Sequence, residues 1–93
     1  MTKSYQIEFA PRTEGQLEKI PKDIRKLIFE RIEKLISNPR LIGVEPLQGA
    51  DNGLFRILQE DYRIVYSIQD QKLLVLVVRI VHRKEVYKRK HSL

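Results

Sequence analysis

The sequence predicts an α+β fold in the order β, α, α, β, β, β, closing on a basic C-terminal tail. Three observations carry that prediction. Apolar and polar residues alternate near the N-terminus, apolar residues recur every three or four positions from 24 to 36, and three later apolar runs are separated by only three and four residues. Ninety-three residues, 42% of them hydrophobic, suffice for one compact core, so residues 1 to 93 are expected to form a single domain.

Tyr5, Ile7 and Phe9 alternate with Gln6 and Glu8, the period of a half-buried strand, and Ala10-Pro11 ends it. Thr13 with Gln16 three residues on has the form of a capping box for a short helix through about Lys19, with Gly15 inside it. Pro21 suits a first helical turn, and Ile24, Leu27, Ile28, Ile32, Leu35 and Ile36 follow at helical spacing. Glu30 stands four residues before Lys34 on the charged outer face, and Asn38-Pro39 stops the helix. Residues 38 to 53, NPRLIGVEPLQGADNG, hold three of the four glycines and two of the four prolines. They read as an irregular crossing loop, with Leu41, Ile42, Val44 and Leu47 expected to pin it to the core.

The runs LFRIL, YRIVYSI and LLVLVVRIV are joined by QED and QDQK. Such short connections join antiparallel neighbours, because a parallel pair needs a crossover of a dozen or more residues. Residues 54 to 81 therefore read as a three-stranded meander. The last run is apolar on both faces, as in a central strand with cover on each side. The tail can form a short helix around Lys84 to Lys88.

The absence of cysteine removes a disulfide framework, a Cys-based zinc site and a thiol nucleophile from consideration. No stretch approaches the roughly 20 apolar residues of a membrane span, and the N-terminus has no apolar signal region. A cytoplasmic protein with no membrane partner is expected. The net charge of +6 is uneven: residues 1 to 78 carry 12 Lys/Arg against 11 Asp/Glu, and residues 79 to 93 carry 6 against 1. Five of the six net charges thus fall in the last fifteen residues. That asymmetry suits a polyanionic partner, and it is equally the composition of a solvated end.

The strand and helix pair, the Y-R-I-V-Y of Tyr62 to Tyr66 and the H-R-K-E-V-Y of His82 to Tyr87 resemble the RelE branch of the RelE/ParE superfamily of type II toxins. The resemblance spans nearly the whole chain. It implies two helices packed on a mainly antiparallel sheet, a ribosome-dependent endoribonuclease that cuts mRNA in the ribosomal A site and so inhibits translation, and a cognate antitoxin that silences it in a toxin-antitoxin hetero-oligomer. It also implies a catalytic role for the tyrosine that ends the motif, Tyr87 in this chain.

The residues are consistent with that chemistry. RNA cleavage through the 2'-hydroxyl needs a proton acceptor, stabilisation of the charged pentavalent phosphate and a proton for the leaving 5'-oxygen. Arginine suits the second task, since its planar guanidinium forks onto two phosphate oxygens and stays charged. Arg56, Arg63 and Arg83 come from neighbouring elements of the meander, where they can converge on one phosphate. Strand alternation turns Arg63 away from Tyr62 and Ile64, toward an open face. Any one of the three taken alone reads as a solvated strand residue whose stem covers apolar surface, but Arg63 and Arg83 stand at motif positions of the family resembled, which favours the functional reading for them and leaves Arg56 open between the two. Tyr87 can stack on a base, worth about 1 to 3 kcal/mol, or move a proton, or anchor the sheet edge. Arg79, Lys84, Lys88, Arg89 and Lys90 supply an RNA-attracting rim. His82 is a secondary candidate that a structural role would also explain, and His91 lies near the end of the chain.

Many relatives carry a second basic residue two places after the Arg56 position, a proposed general base; this chain has Leu58. Either activity is reduced, or Lys84 or His82 substitutes. Glu60-Asp61 reads as a hairpin tip and the two histidines are isolated, so metal-independent chemistry without a cofactor is expected. Two other readings stay open: a ParE-like inhibitor of DNA gyrase, and an RNA- or partner-binding module without chemistry.

Overall fold

The structure, a computed structural model, describes residues 4–47 and 53–84. Strand β1 (Gln6–Phe9) leads into helices α1 (Arg12–Glu18) and α2 (Lys22–Ser37). Strands β2 (Glu45–Pro46), β3 (Leu54–Gln59), β4 (Tyr62–Gln69) and β5 (Leu74–His82) follow, with a 3₁₀ turn at Asp70–Lys72 before β5. The five strands form one sheet in the order β1-β5-β4-β3-β2. The β3-β4-β5 meander is antiparallel, as the short connections require, and β2 pairs antiparallel with β3. The remaining pair, β1 with β5, is parallel, so the sheet is mixed. The helical excursion carries the chain from one edge of the sheet to the other, which leaves β5 to fill the inner position.

The core lies between the helices and one face of this sheet. Ile28, Ile32 and Leu35 of α2, spaced at helical intervals, are at most 3% exposed. They meet Ile57 of β3, Ile64 and Tyr66 of β4, and Val75, Val77 and Ile80 of β5 in one cluster. Alternation along β4 is regular, but β5 holds an irregularity. Val65 pairs with Arg79 and Tyr66 with Val77, so Val78 is an extra residue without a partner. Such a bulge puts two successive residues on one side, and Val78 and Arg79 both line the face opposite the core. The cover expected on both sides of β5 is therefore unequal: Val75 and Val77 are fully buried, whereas Leu76 and Val78 are only half-buried.

Three local expectations are corrected. Thr13 does not cap α1; it lies inside the helix, buried, its hydroxyl donating to the Ala10 carbonyl at 2.7 Å. Pro11, held near helical φ, starts the turn earlier, and Gln16 is drawn elsewhere: its side-chain oxygen accepts the Ile80 amide at 2.8 Å, beyond the last β1 pair. Ile42 is 97% exposed rather than pinned to the core. A turn closed by the Val44 amide on the Leu41 carbonyl, with Gly43 at φ 98°, directs Leu41 and Val44 inward and leaves Ile42 at the corner. The crossing loop also contains β2, whose Pro46 is tolerated because this strand is at the sheet edge.

The loop is tied down at its start. Tyr66, fully buried, donates its hydroxyl to the Pro39 carbonyl at 2.7 Å. Burial pushes that hydroxyl's pKa well above the usual tyrosine range, against a smaller opposing effect of Arg40. Arg40 forks onto Asp70 at 2.7 and 3.0 Å, and the Tyr5 hydroxyl donates to the same carboxylate at 2.7 Å. No described helix is long and apolar enough to cross a membrane.

Candidate nucleic-acid interface

The face of the sheet turned away from the helices collects the arginines of the meander. The register sets them out in rows. Leu58, Arg63 and Val81 are cross-strand partners in one row, and Arg56, Val65 and Arg79 are partners in the next. Between these rows, Ile57, Ile64 and Ile80 point into the core, so period-two alternation sends both rows to the open side. Arg63, expected on the open face, is thus flanked by two apolar residues along which its stem can lie.

Two shallow grooves mark this surface. The larger, about 610 Å³, is lined by Glu45, Pro46, Leu47, Arg56 and Arg63. The smaller, about 320 Å³, is lined by Ala10, Arg12, Leu47, Leu54, Val65, Val78 and Arg79. Leu47 belongs to both, so the grooves adjoin. Among the described residues, four arginines face one glutamate across their walls. That glutamate is Glu45, whose Oε1 lies 3.3 Å from Arg56 Nη2. The Arg63 Nε is buried and makes no hydrogen bond within the described residues. The Nε of Arg25 is in the same state, so this feature is not particular to the open face.

Arg56 and Arg63 are therefore brought into one groove. Arg83 is not among its lining residues; it follows β5, its amide donating to the Asp61 carbonyl at 2.8 Å and its guanidinium 3.9 Å from the Asp61 carboxylate. Asp61 and Glu60, at positive φ, form the β3-β4 hairpin tip. Arg79 shares the open face with Arg56, and Lys84 is exposed just beyond β5. Tyr87, Lys88, Arg89, Lys90 and His91 lie outside the described residues. His82 stands on the helical side, edge-on to Tyr62 with ring centroids 5.1 Å apart, beside Gln16, Lys19 and Ile20. Its Nδ1 accepts the Lys84 amide at 3.1 Å. The sheet separates it from Arg63.

Leu58 is half exposed beside Arg63 and belongs to this same face. Two lining charges escaped the reading of the sequence. Arg12 reaches the smaller groove only because β1 pairs with β5, a long-range contact with no local signal. Glu45 sits in a segment whose Pro and Gly content reads as loop.

Two helices on a five-stranded mixed sheet are the architecture of solved RelE toxins. Residues 7–87 match the family model described as the ParE toxin of the type II toxin-antitoxin system, parDE, and the chain belongs to that family, within the RelE/ParE superfamily. It is similar to toxin RelG of Mycobacterium tuberculosis, 29% identical over 91% of this chain and 98% of the relative. Among solved structures it resembles the toxin-antitoxin complex RelBE2 of M. tuberculosis, with TM-score 0.77 and 26% identity over 88% of this chain and 94% of that one. The isolated E. coli RelE toxin aligns with TM-score 0.73 and 25% identity, covering 96% and 97% of the two chains.

Proposed function

We propose that this toxin is a ribosome-dependent endoribonuclease that cuts mRNA in the A site by metal-independent attack of the 2'-hydroxyl and thereby inhibits translation. The observation that carries the reading is the groove shared by Arg56 and Arg63, on a face where, among the described residues, four arginines meet one carboxylate. A pentavalent phosphate in that groove would meet both guanidinium groups. In this reading Arg63 and Arg56 hold the scissile phosphate, and Arg83 approaches from the end of β5. Tyr87 positions or activates a reacting group. Arg79, Lys84, Lys88, Arg89 and Lys90 draw in the RNA. Leu58, unable to move a proton, would slow the reaction.

The partner proposed is a cognate antitoxin whose acidic or apolar segment covers the open face and the basic rim, forming a hetero-oligomer. An exposed cationic sheet face with half-buried apolar residues is a surface that such a segment fits.

The matched family model is described by its gyrase-poisoning branch name, so inhibition of DNA gyrase is the second reading. A gyrase poison has no need of a guanidinium pair in a groove suited to phosphate. Incubating the purified toxin with translating ribosomes, a defined message, gyrase and plasmid DNA separates the possibilities. Codon-specific mRNA cuts support the nuclease, gyrase-dependent DNA breaks support the second reading, and neither outcome leaves a binding module. The mRNA products should end in a 2',3'-cyclic phosphate and a 5'-hydroxyl.

A further inference from the structure

We infer that the helical side of the sheet carries a second anion site, which takes a single phosphate group. It lies across the sheet from Arg63 and is independent of how the arginine groove is used. The helix-facing pairs of β4 and β5 run from Tyr66 with Val77 and Ile64 with Ile80 to Tyr62 with His82, so polar rings replace aliphatic side chains in the last row. The core ends there. Gln16 and Lys19, from the end of α1 and just past it, close the space into a pocket of about 240 Å³ with Ile20, Tyr62, Ile80 and His82 as its other walls. Sites for whole small molecules start at roughly 300 Å³, so this one suits a single group of a ligand.

Two backbone amides fix what the pocket offers. An amide N–H only donates, so the Ile80 amide, at 2.8 Å, holds the oxygen of Gln16 and leaves the Gln16 side-chain NH2 as a donor. By the same rule the Lys84 amide, at 3.1 Å, engages a lone pair on Nδ1 of His82, and the neutral ring carries its hydrogen on Nε2. Each side chain uses its acceptor on the main chain and keeps a donor. Lys19, exposed, adds an ammonium, and the Tyr62 hydroxyl can supply a fourth donor group.

Little opposes an anion here. Among the described residues lining the pocket none is a carboxylate. The carbonyls of Gln16 and Leu17 at the end of α1 are bonded to the amides of Lys19 and Ile20, and the Ile20 carbonyl accepts from Arg25. Asp61, at the hairpin tip, has one oxygen 4.0 Å from His82 Nε2, outside hydrogen-bonding reach, and the other 3.9 Å from Arg83. The donors come from two walls, α1 and the sheet, so a ligand needs oxygens in more than one plane. A tetrahedral phosphate has them and a planar carboxylate does not. The phosphate of an RNA strand and free phosphate share that chemistry.

The test is a site-resolved NMR titration of the purified toxin with inorganic phosphate and, separately, with a short single-stranded oligoribonucleotide lacking terminal phosphates. Binding at this site should shift the Gln16 side-chain NH2, the His82 ring and the Ile80 and Lys84 amides along one saturation curve. Gln16→Glu keeps the oxygen that accepts from Ile80 and turns the donor into a charged acceptor, so affinity read at these signals should fall about tenfold or more with the thermal midpoint unchanged. Lys19→Ala should weaken binding several-fold, and Asp61→Asn should tighten it. Saturation by phosphate alone assigns the site to free phosphate, saturation by the oligoribonucleotide assigns it to an RNA strand, and either supports the site. Signals unmoved by both ligands, shifts confined to Arg56 and Arg63, or a Gln16→Glu variant that binds like wild type overturns it. Should Gln16→Glu lower the thermal midpoint, the exposed Lys19 decides: a Lys19→Ala variant with wild-type affinity overturns the site, and a weakened one upholds it.

Discussion

Replacing Tyr66 by Phe removes one oxygen from the centre of the molecule and nothing else. The ring stays in place, stacked near Phe55 at 6.3 Å between centroids, so no cavity opens. What is lost is the 2.7 Å hydrogen bond to the Pro39 carbonyl, which anchors the segment running on to β2. A neutral hydrogen bond contributes about 0.5 to 1.5 kcal/mol net, and leaving a buried acceptor without a donor costs about 1 to 3 kcal/mol. Both Tyr66 and Pro39 are buried, so the upper part of that range applies and a loss of about 2 kcal/mol is expected. For a domain of this size that lowers the thermal midpoint by roughly 8 to 16 °C. Denaturant titration should show a lower midpoint with an unchanged slope, the mark of altered stability rather than altered compactness. A second arm uses pH. Burial raises the Tyr66 pKa in the folded state, so its contribution is complete below the ordinary value near 10 and is lost as pH rises from there toward the folded value. Wild type should therefore lose stability above pH ~10 more steeply than Tyr66→Phe. A loss below about 0.3 kcal/mol would refute the reasoning, because it would mean that solvent reaches the Pro39 carbonyl and satisfies it.

Arg63→Ala should lower single-turnover cleavage on ribosome-bound mRNA by about 10²-fold or more while changing ribosome binding little, since its contact forms mainly in the transition state; equal losses in both would show a binding residue only. Tyr87→Phe tests the phenolic hydroxyl in the same assay, and full activity would leave stacking as its sole role. Leu58→Lys places a cation beside Arg63 on the open face and should raise the cleavage rate; a slower variant would show that the face tolerates no further charge. Replacing Lys88, Arg89 and Lys90 by Ala should flatten the salt dependence of RNA binding by about 2 in the log-log slope, at ~0.7 per phosphate, and leave the cut position unchanged.

The parts of the fold legible in the sequence are those set by local periodicity. The α2 stripe is a repeat of 3.6, and the three apolar runs are set off by short polar connections, signals the chain displays regardless of what packs against them. Parallel pairing of β1 with β5 joins residues about 70 positions apart, so no window of sequence contains it. At the site, alternation sufficed to place Arg63 on the open face. Glu45 escaped because a two-residue strand containing proline carries no period at all. His82 was weighed for chemistry from its proton affinity alone, whereas its pairing with Tyr62 sets it on the helical side.

The unpaired Val78 works as a phase shifter. Before it, odd-numbered positions of β5 face the helices; after it, even-numbered ones do. Removing that one residue would bring Val77 and Arg79 together opposite Tyr66 and Val65 and leave Val75, Val77 and Ile80 facing the helices in one regular alternation, whereas an unbroken alternation through all nine residues would set Arg79 in competition with an isoleucine for the core. The two halves of β5 consequently answer to different constraints. Val75 and Val77 anchor the first against the helices and Ile80 the second, and the second can exchange its outward residues, and with them the charge presented to a ligand, without disturbing how either is buried.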